Sequence, residues 1–163
     1  AEDSDFPAVP FLQKVFMQIG LAQVATSAEE GVAAGFLVEG RDTVVLNRDH
    51  LLYTAKQRVL GLAHSGWRPP RPTRFRLPGR DGYATIDMML YSMVQNGQIS
   101  EHDRLIGQKL ATVLTGGDTA RQVLTEEQHL LDLEREAFLS LCGEEKTKER
   151  MIHMATHNKP LRN

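Results

Sequence analysis

A pair of helical patterns, each with its own stop, closes the chain and most constrains what it can fold into. From Leu124 onward, apolar residues recur at three- and four-residue steps: Leu130, Leu131, Leu133, Ala137, Phe138 and Leu141. That period lays a broad stripe along one face of a helix. Thr125 and Gln128 have capping-box spacing, and Glu126 and Glu127 place negative charge at the positive end of the helix dipole. Gly143 ends this helix. A second runs from Glu144 to about His157 and carries Met151, Ile152, Met154 and Ala155. Asn158 tolerates the left-handed conformation of a helix end, and Pro160 forbids continuation. With no trailing polar tail, the last residues are expected to be docked. On the same stripe as Leu131 and Leu141, Phe138 is expected to be buried between these helices and the two before them.

The rest of the chain reads in the same period. Residues 1–10 are acidic and proline-containing, a lead-in rather than a regular element. Leu12, Val15, Phe16 and Ile19 stand at helical spacing, with Gly20 as a stop. Ser27 to Glu30 forms a second capping box, opening a short helix through Val32, Ala33 and Ala34 to Gly35. Phe36 to Val38 and Thr43 to Leu46 are β-prone but too short to found a sheet. Asn47 caps a helix with the stripe Leu51, Leu52, Ala55, Val59, Leu62 and Ala63. Tyr83 to Gln95 carries Ile86, Met89, Leu90, Met93 and Val94 and stops at Asn96-Gly97; its methionines, Met88 included, read as gap-fillers of a core. Ser100 caps the next helix, with Leu105, Ile106, Leu110, Val113 and Leu114 inside and a break at Thr115-Gly-Gly117. The expected fold is all-α, about six or seven helices with no sheet of its own.

A chain of 163 residues can bury one sizeable core, and its 41% hydrophobic and 25% charged content is ordinary for a globular domain. Its net charge of −2 argues against general nucleic-acid binding. Its longest apolar runs fall short of a membrane span. Cys142 has no second cysteine to pair with, which fits a reducing compartment. The start at Ala1 rather than Met suggests part of a longer chain.

Few residues offer chemistry. Residues 66–82 form a proline-rich strap in which Arg68, Arg71, Arg74, Arg76 and Arg80 alternate with Trp67 and Phe75. Such a patch could hold an anion such as the phosphates of CoA, or be a stiff strap with solvated arginines. His153 and His157 have the i, i+4 spacing of half a metal site, without a third ligand. Glu134 and Glu136 point to different sides of a helix; beside Arg135, Glu134 reads as an ion-pair partner, and Cys142 as a packed thiol. Gly116-Gly117-Asp118 is not a phosphate loop, because it follows a helix and no Walker lysine comes after it. No catalytic or metal-ligating residue is assigned.

Leu131 to Gly143, Lys146-Thr147, Arg150 to Met154 and Lys159-Pro-Leu-Arg-Asn163 together resemble one C-terminal signature. It belongs to the bacterial multifunctional fatty-acid β-oxidation proteins, in which a 3-hydroxyacyl-CoA dehydrogenase precedes an enoyl-CoA hydratase-like (crotonase) module. Asn158 stands where that family has Gly, a tolerable swap at a helix cap. Thr26 to Leu37, Asn47 to Asp49, Leu51-Leu52 and Ala55-Lys56 are similar to the back end of a crotonase module. Neither the G-x-G-x-x-G turn nor the upstream crotonase segment that builds an oxyanion hole is present.

The resemblance implies three parts. Residues 1–64 would be the last helices of a crotonase-like module, 65–82 a linker, and 83–163 a helical C-terminal extension. It implies a structural, closing region of the parent protein, inactive alone, in the cytoplasm. NAD would be the parent's cofactor and none would bind this chain. Acyl-CoA would be met through the parent, with Arg68, Arg71, Arg74 and Arg76 as the candidate CoA-phosphate contacts. Partners would be the upstream domains and further copies, with no nucleic acid. The other reading is a stand-alone helical interaction module.

Overall fold

The computed structural model describes residues 8–72, 74–120 and 123–163, apart from the side chains of Ala8, Phe75 and Val123. The lead-in expected over residues 1–10 lies outside them except for its last three positions, which open the first helix. Among the described residues there are seven α-helices: α1 (Ala8–Gly20), α2 (Ala28–Ala33), α3 (Leu51–His64), α4 (Gly79–Gln95), α5 (Glu101–Thr115), α6 (Glu127–Cys142) and α7 (Glu145–His157). A single 3-10 turn, Arg48–His50, precedes α3. The mainly helical expectation holds.

One detail of it is corrected. Strands β1 (Arg74–Leu77) and β2 (Val123–Glu126) pair antiparallel, with Arg74 opposite Glu126 and Leu77 opposite Val123. Phe75, Leu77, Val123 and Thr125 suit a pleated ribbon, and Pro72 and Pro78 bracket β1 and keep it short. The ribbon also overrules the capping box expected at Thr125. That residue is a buried strand residue, Glu126 is the N-cap of α6 without a side-chain cap bond, and Gln128 instead donates to Asp132 Oδ1 at 3.0 Å. The strap expected to run free over 65–82 is extended only as far as this strand, and α4 already begins at Gly79.

Two compact units are distinguished, residues 1–22 with 72–163, and residues 23–71. The core of the first is Phe16 from α1, Ile86 and Leu90 from α4, and Ala111 from α5, with Tyr83, Met89, Ile99, Leu110 and Leu114 packed around it. Leu12 and Phe16 are thus buried, as the α1 stripe predicts. On α5 the fully buried line is Gly107, Ala111 and Thr115, whereas Leu105, Ile106 and Val113 are only half-buried. Small residues four apart let α4 approach closely, and Thr115 satisfies its buried hydroxyl by donating to Ala111 O at 2.8 Å.

The stripe on α6 is rotated from the expected one. Leu130, Leu133, Ala137 and Leu141 form its half-buried line, while Leu131 and Phe138 lie on the flank and Phe138 is 57% exposed. The expected burial of Phe138 is therefore wrong. Apolar residues one position apart make the pattern too wide to fix its own phase. Helix α5, the element it packs on, selects the 130–133–137–141 line.

In the 23–71 unit, Ser27 Oγ accepts from Glu30 N–H at 3.1 Å. The Glu30 carboxylate reaches past Ser27 to the N–H and hydroxyl of Thr26, a box displaced by one residue. Asn47 Oδ1 accepts from Asp49 N–H at 2.9 Å, capping the 3-10 turn that leads into α3. Of the residues in this unit only Gly31 is buried. The α3 stripe is bare: Leu52 is 84% exposed and Val59 63%.

Candidate functional site

The densest polar arrangement is built where α5 begins. Ser100 and Asp103 complete a capping box: Ser100 Oγ accepts from Asp103 N–H at 3.1 Å, and the Asp103 carboxylate accepts from Ser100 N–H at 2.9 Å. Arg150, from the middle of α7, donates to the other Asp103 oxygen at 2.6 Å. The same guanidinium donates through Nε to Asn163 Oδ1 at 2.7 Å and through Nη2 to the Asn163 carbonyl at 3.3 Å. Asn163 in turn donates to Lys146 O and to Glu149 Oε2 at 2.6 Å. Beside them, His102 Nε2 and Thr147 Oγ1 are 3.0 Å apart.

The tail can make these contacts because Asn158 adopts the left-handed conformation (φ 51°) and turns the chain out of α7. Five extended residues reach up to about 17 Å, enough to run back the roughly 12 Å of helix between Asn158 and Arg150. The docked C-terminus expected from the stop signals is thus present, with Arg150 as its holder.

Burial pushes the Asp103 carboxyl up, but the Ser100 N–H, Arg150 and the Ser100 hydroxyl outweigh it and leave it below the usual range. His102 is held below the usual histidine range by burial first, then by Arg150 and Lys146, against Glu144 and Asp103. The Arg150 guanidinium is fully engaged with Asp103 and Asn163, and the one base-to-hydroxyl contact here, His102 to Thr147, is buried. The cluster ties the start of α5 to α7 and to Asn163.

The other sequence candidates are dispersed. Arg68 and Arg71 are exposed on the 23–71 unit, while Arg74 and Arg76 lie two apart on β1, in the other unit. Arg74 already pairs with Glu126 at 2.9 Å, and Arg80 with Asp118. Trp67 is exposed, and the side chain of Phe75 lies outside the described residues. His153 and His157 stack on each other, ring centroids 4.4 Å apart, and His157 Nδ1 lies 2.7 Å from the Thr156 hydroxyl. Among the described residues, no group of three His, Cys, Asp or Glu is placed to hold a metal ion. Arg135 pairs with Asp132 at 3.0 Å, so Glu134 is not its partner. Cys142 is half-buried.

The sequence reading missed two clusters. The first is Asp103 with His102, although Ser100 and Asp103 have the spacing of the completed box. The second cluster is Asp87 on α4, which accepts from Arg104 at 3.2 Å and from Gln108 at 2.8 Å, with Arg104 lying 5.4 Å over the Tyr91 ring. Its members come from two helices, and spacing along one helix could not reveal it.

An open groove of about 370 Å³ in the 23–71 unit is lined by apolar Ala28, Val32, Leu37 and Val44 and by Glu29, Glu39 and Asp42. Asp42 pairs with Arg41 at 2.9 Å, and the carboxylates of Glu29 and Glu39 repel phosphate. The described residues do not fit a dinucleotide either. The β-structure is one antiparallel ribbon, and Gly116-Gly117 follow the carbonyl end of α5, whose dipole is the wrong sign for pyrophosphate. No described helix is long and apolar enough to cross a membrane.

No protein-family model matches the chain, and no solved structure matches it. Among curated proteins, it is 45% identical over 150 residues to a "probable 3-hydroxyacyl-CoA dehydrogenase" of Bacillus subtilis (strain 168). The match takes in 92% of this chain and 19% of that protein. The chain is therefore similar, over nearly all of its own length, to about a fifth of a much longer protein named as a dehydrogenase.

Proposed function

We propose that this chain is the C-terminal, structural region of a longer 3-hydroxyacyl-CoA dehydrogenase-type protein of fatty-acid β-oxidation, and is not catalytic by itself. The observation that carries the reading is the 45% identity to one-fifth of the Bacillus subtilis relative. The bare α3 stripe supports it. A 49-residue stretch that buries only Gly31 lacks a core of its own and gains one by packing on something else. In this reading the cover is the preceding part of the same protein, which carries the NAD-dependent dehydrogenase and the enoyl-CoA hydratase-like chemistry. Arg68, Arg71, Arg74 and Arg76, all exposed, are the members of the basic strap offered to the phosphates of CoA. Without that cover the chain on its own associates with further copies through the same faces, and a cytoplasmic setting suits the lone Cys142.

The test uses the Bacillus subtilis relative with its matching 150 residues removed. The shortened protein should lose NAD-dependent oxidation of 3-hydroxyacyl-CoA and regain part of it when this chain is added. The chain alone should turn over neither that substrate nor crotonyl-CoA. Turnover by the chain alone overturns the reading. An active shortened protein that ignores the added chain would favour a stand-alone interaction module.

A further inference from the structure

The α5–α7 contact converges on one buried histidine. His102 stands in the first turn of α5 at 6% exposure and meets Thr147 in the first turn of α7. Two helix N-termini, the positive ends of their dipoles, therefore converge on its ring. Arg150 and Lys146 of α7 are the cations that face it; Glu144 before α7 and Asp103 on its own helix are the anions. Asp103 is already committed to Arg150 and the Ser100 N–H, while Glu144 and Lys146 are both exposed and screened by water, which leaves Arg150 as the largely buried charge beside the ring. A neutral imidazole suits this place, since either tautomer can bond the Thr147 hydroxyl. A protonated ring could still donate to that hydroxyl. It would, however, hold a buried charge beside Arg150 with no uncommitted anion to offset it.

We propose that the docking of α7 and the Asn163 tail onto α5 is a proton-sensitive latch, closed while His102 is neutral and loosened when His102 takes up a proton. His102 binds a proton less readily in the latched state, because of burial first and then Arg150 and Lys146. The latch is therefore at full strength above the ordinary histidine range. It weakens as pH falls from about 6.5 toward the lower docked value, and is constant below both. When it opens, Arg150 releases Asn163 and the capping box together, since one guanidinium holds both.

Amide hydrogen exchange on the full 163-residue chain tests this, comparing α7 with α4 at about pH 7.5 and about pH 5.5 after correction for intrinsic exchange. Acidification should lower the protection of α7 at least about threefold more than that of α4. His102→Gln should abolish the difference, and His129→Gln, on α6 with its ring 3.3 Å from Gly116 O past the other end of α5, should leave it in place. Equal losses in α7 and α4, or a difference that survives His102→Gln, overturns the proposal. So does a difference that disappears in His129→Gln. If His102→Gln fails to fold, proton titration of the histidines by NMR in the unaltered chain decides. A His102 midpoint below the ordinary histidine value of about 6.5 supports the latch, and one at or above it overturns it.

Discussion

Leu90 and Gly107 meet so closely across the α4–α5 contact that no side chain fits between them. A Cβ placed on Gly107 would lie 2.8 Å from one Leu90 methyl and 2.9 Å from the other. Leu90 is 3% exposed and cannot simply swing aside. Alanine in a helix interior gains about 0.5–1 kcal/mol over glycine, whereas overpacking a tight core costs about 1–3 kcal/mol. Packing wins, and Gly107→Ala should destabilise by about 1 kcal/mol, read as a lowered denaturation midpoint at unchanged slope.

The exposure of Phe138 reverses the expectation for its removal. Phe138→Ala should cost about 1 kcal/mol or less in this chain, because most of the ring is already in water. Ile86, at 1% exposure, is the contrast. Ile86→Ala should cost about 2–5 kcal/mol through lost burial and the cavity left behind. Thermal melts of the two variants side by side check the assignment.

Arg150 joins three chain segments through one planar group. Its side chain is 19% exposed and that of Asp103 30%, so removing the guanidinium leaves a partly buried carboxylate without its main cation. Arg150→Ala should cost about 2 kcal/mol, and Arg150→Lys should restore less than half, since an ammonium cannot reach Asp103 and both Asn163 oxygens as a fork does. Deleting the last three residues alone should cost less than Arg150→Ala. Urea denaturation of the three variants gives the ranking.

Asp103 sets an acid limb separate from that of His102. Its folded-state value is depressed, so the stability it adds is fully present above the ordinary carboxyl range. That stability is lost as pH falls from about 3.9 through the lower folded value. Asp103→Asn should flatten stability against pH in that window while leaving the change near pH 6.5 in place. Denaturation midpoints between about pH 5 and about pH 2.5 show it.

Helix positions, caps and stops were legible in the sequence because each is a local matter of spacing and backbone chemistry. Ser100, Asn158 and the break at Gly116 behave as local rules require, whereas Asn47 caps the 3-10 turn ahead of α3 rather than α3 itself. Thr125 does not, because pairing with β1, some fifty residues earlier, competes for the same backbone. The phase of α6 and the small-residue seam of α5 depend on what lies across the contact. A one-dimensional pattern holds no information about that. The Arg150 cluster stayed hidden for a related reason, since its members are close in space and distant in sequence.

The β1–β2 ribbon joins two segments separated by the whole of α4 and α5. Closing so long a loop from an open chain would be slow. The α4–α5 hairpin removes that difficulty. Once it forms, the start of α4 and the end of α5 are already neighbours: a Cβ at Gly82 would sit 3.2 Å from Thr115 Cγ2, and Arg80 N–H donates to Thr119 O at 3.2 Å. The ribbon then has only a short gap to bridge, and it should zip after the rate-limiting step. Weakening it would hasten unfolding and leave the refolding rate nearly unchanged.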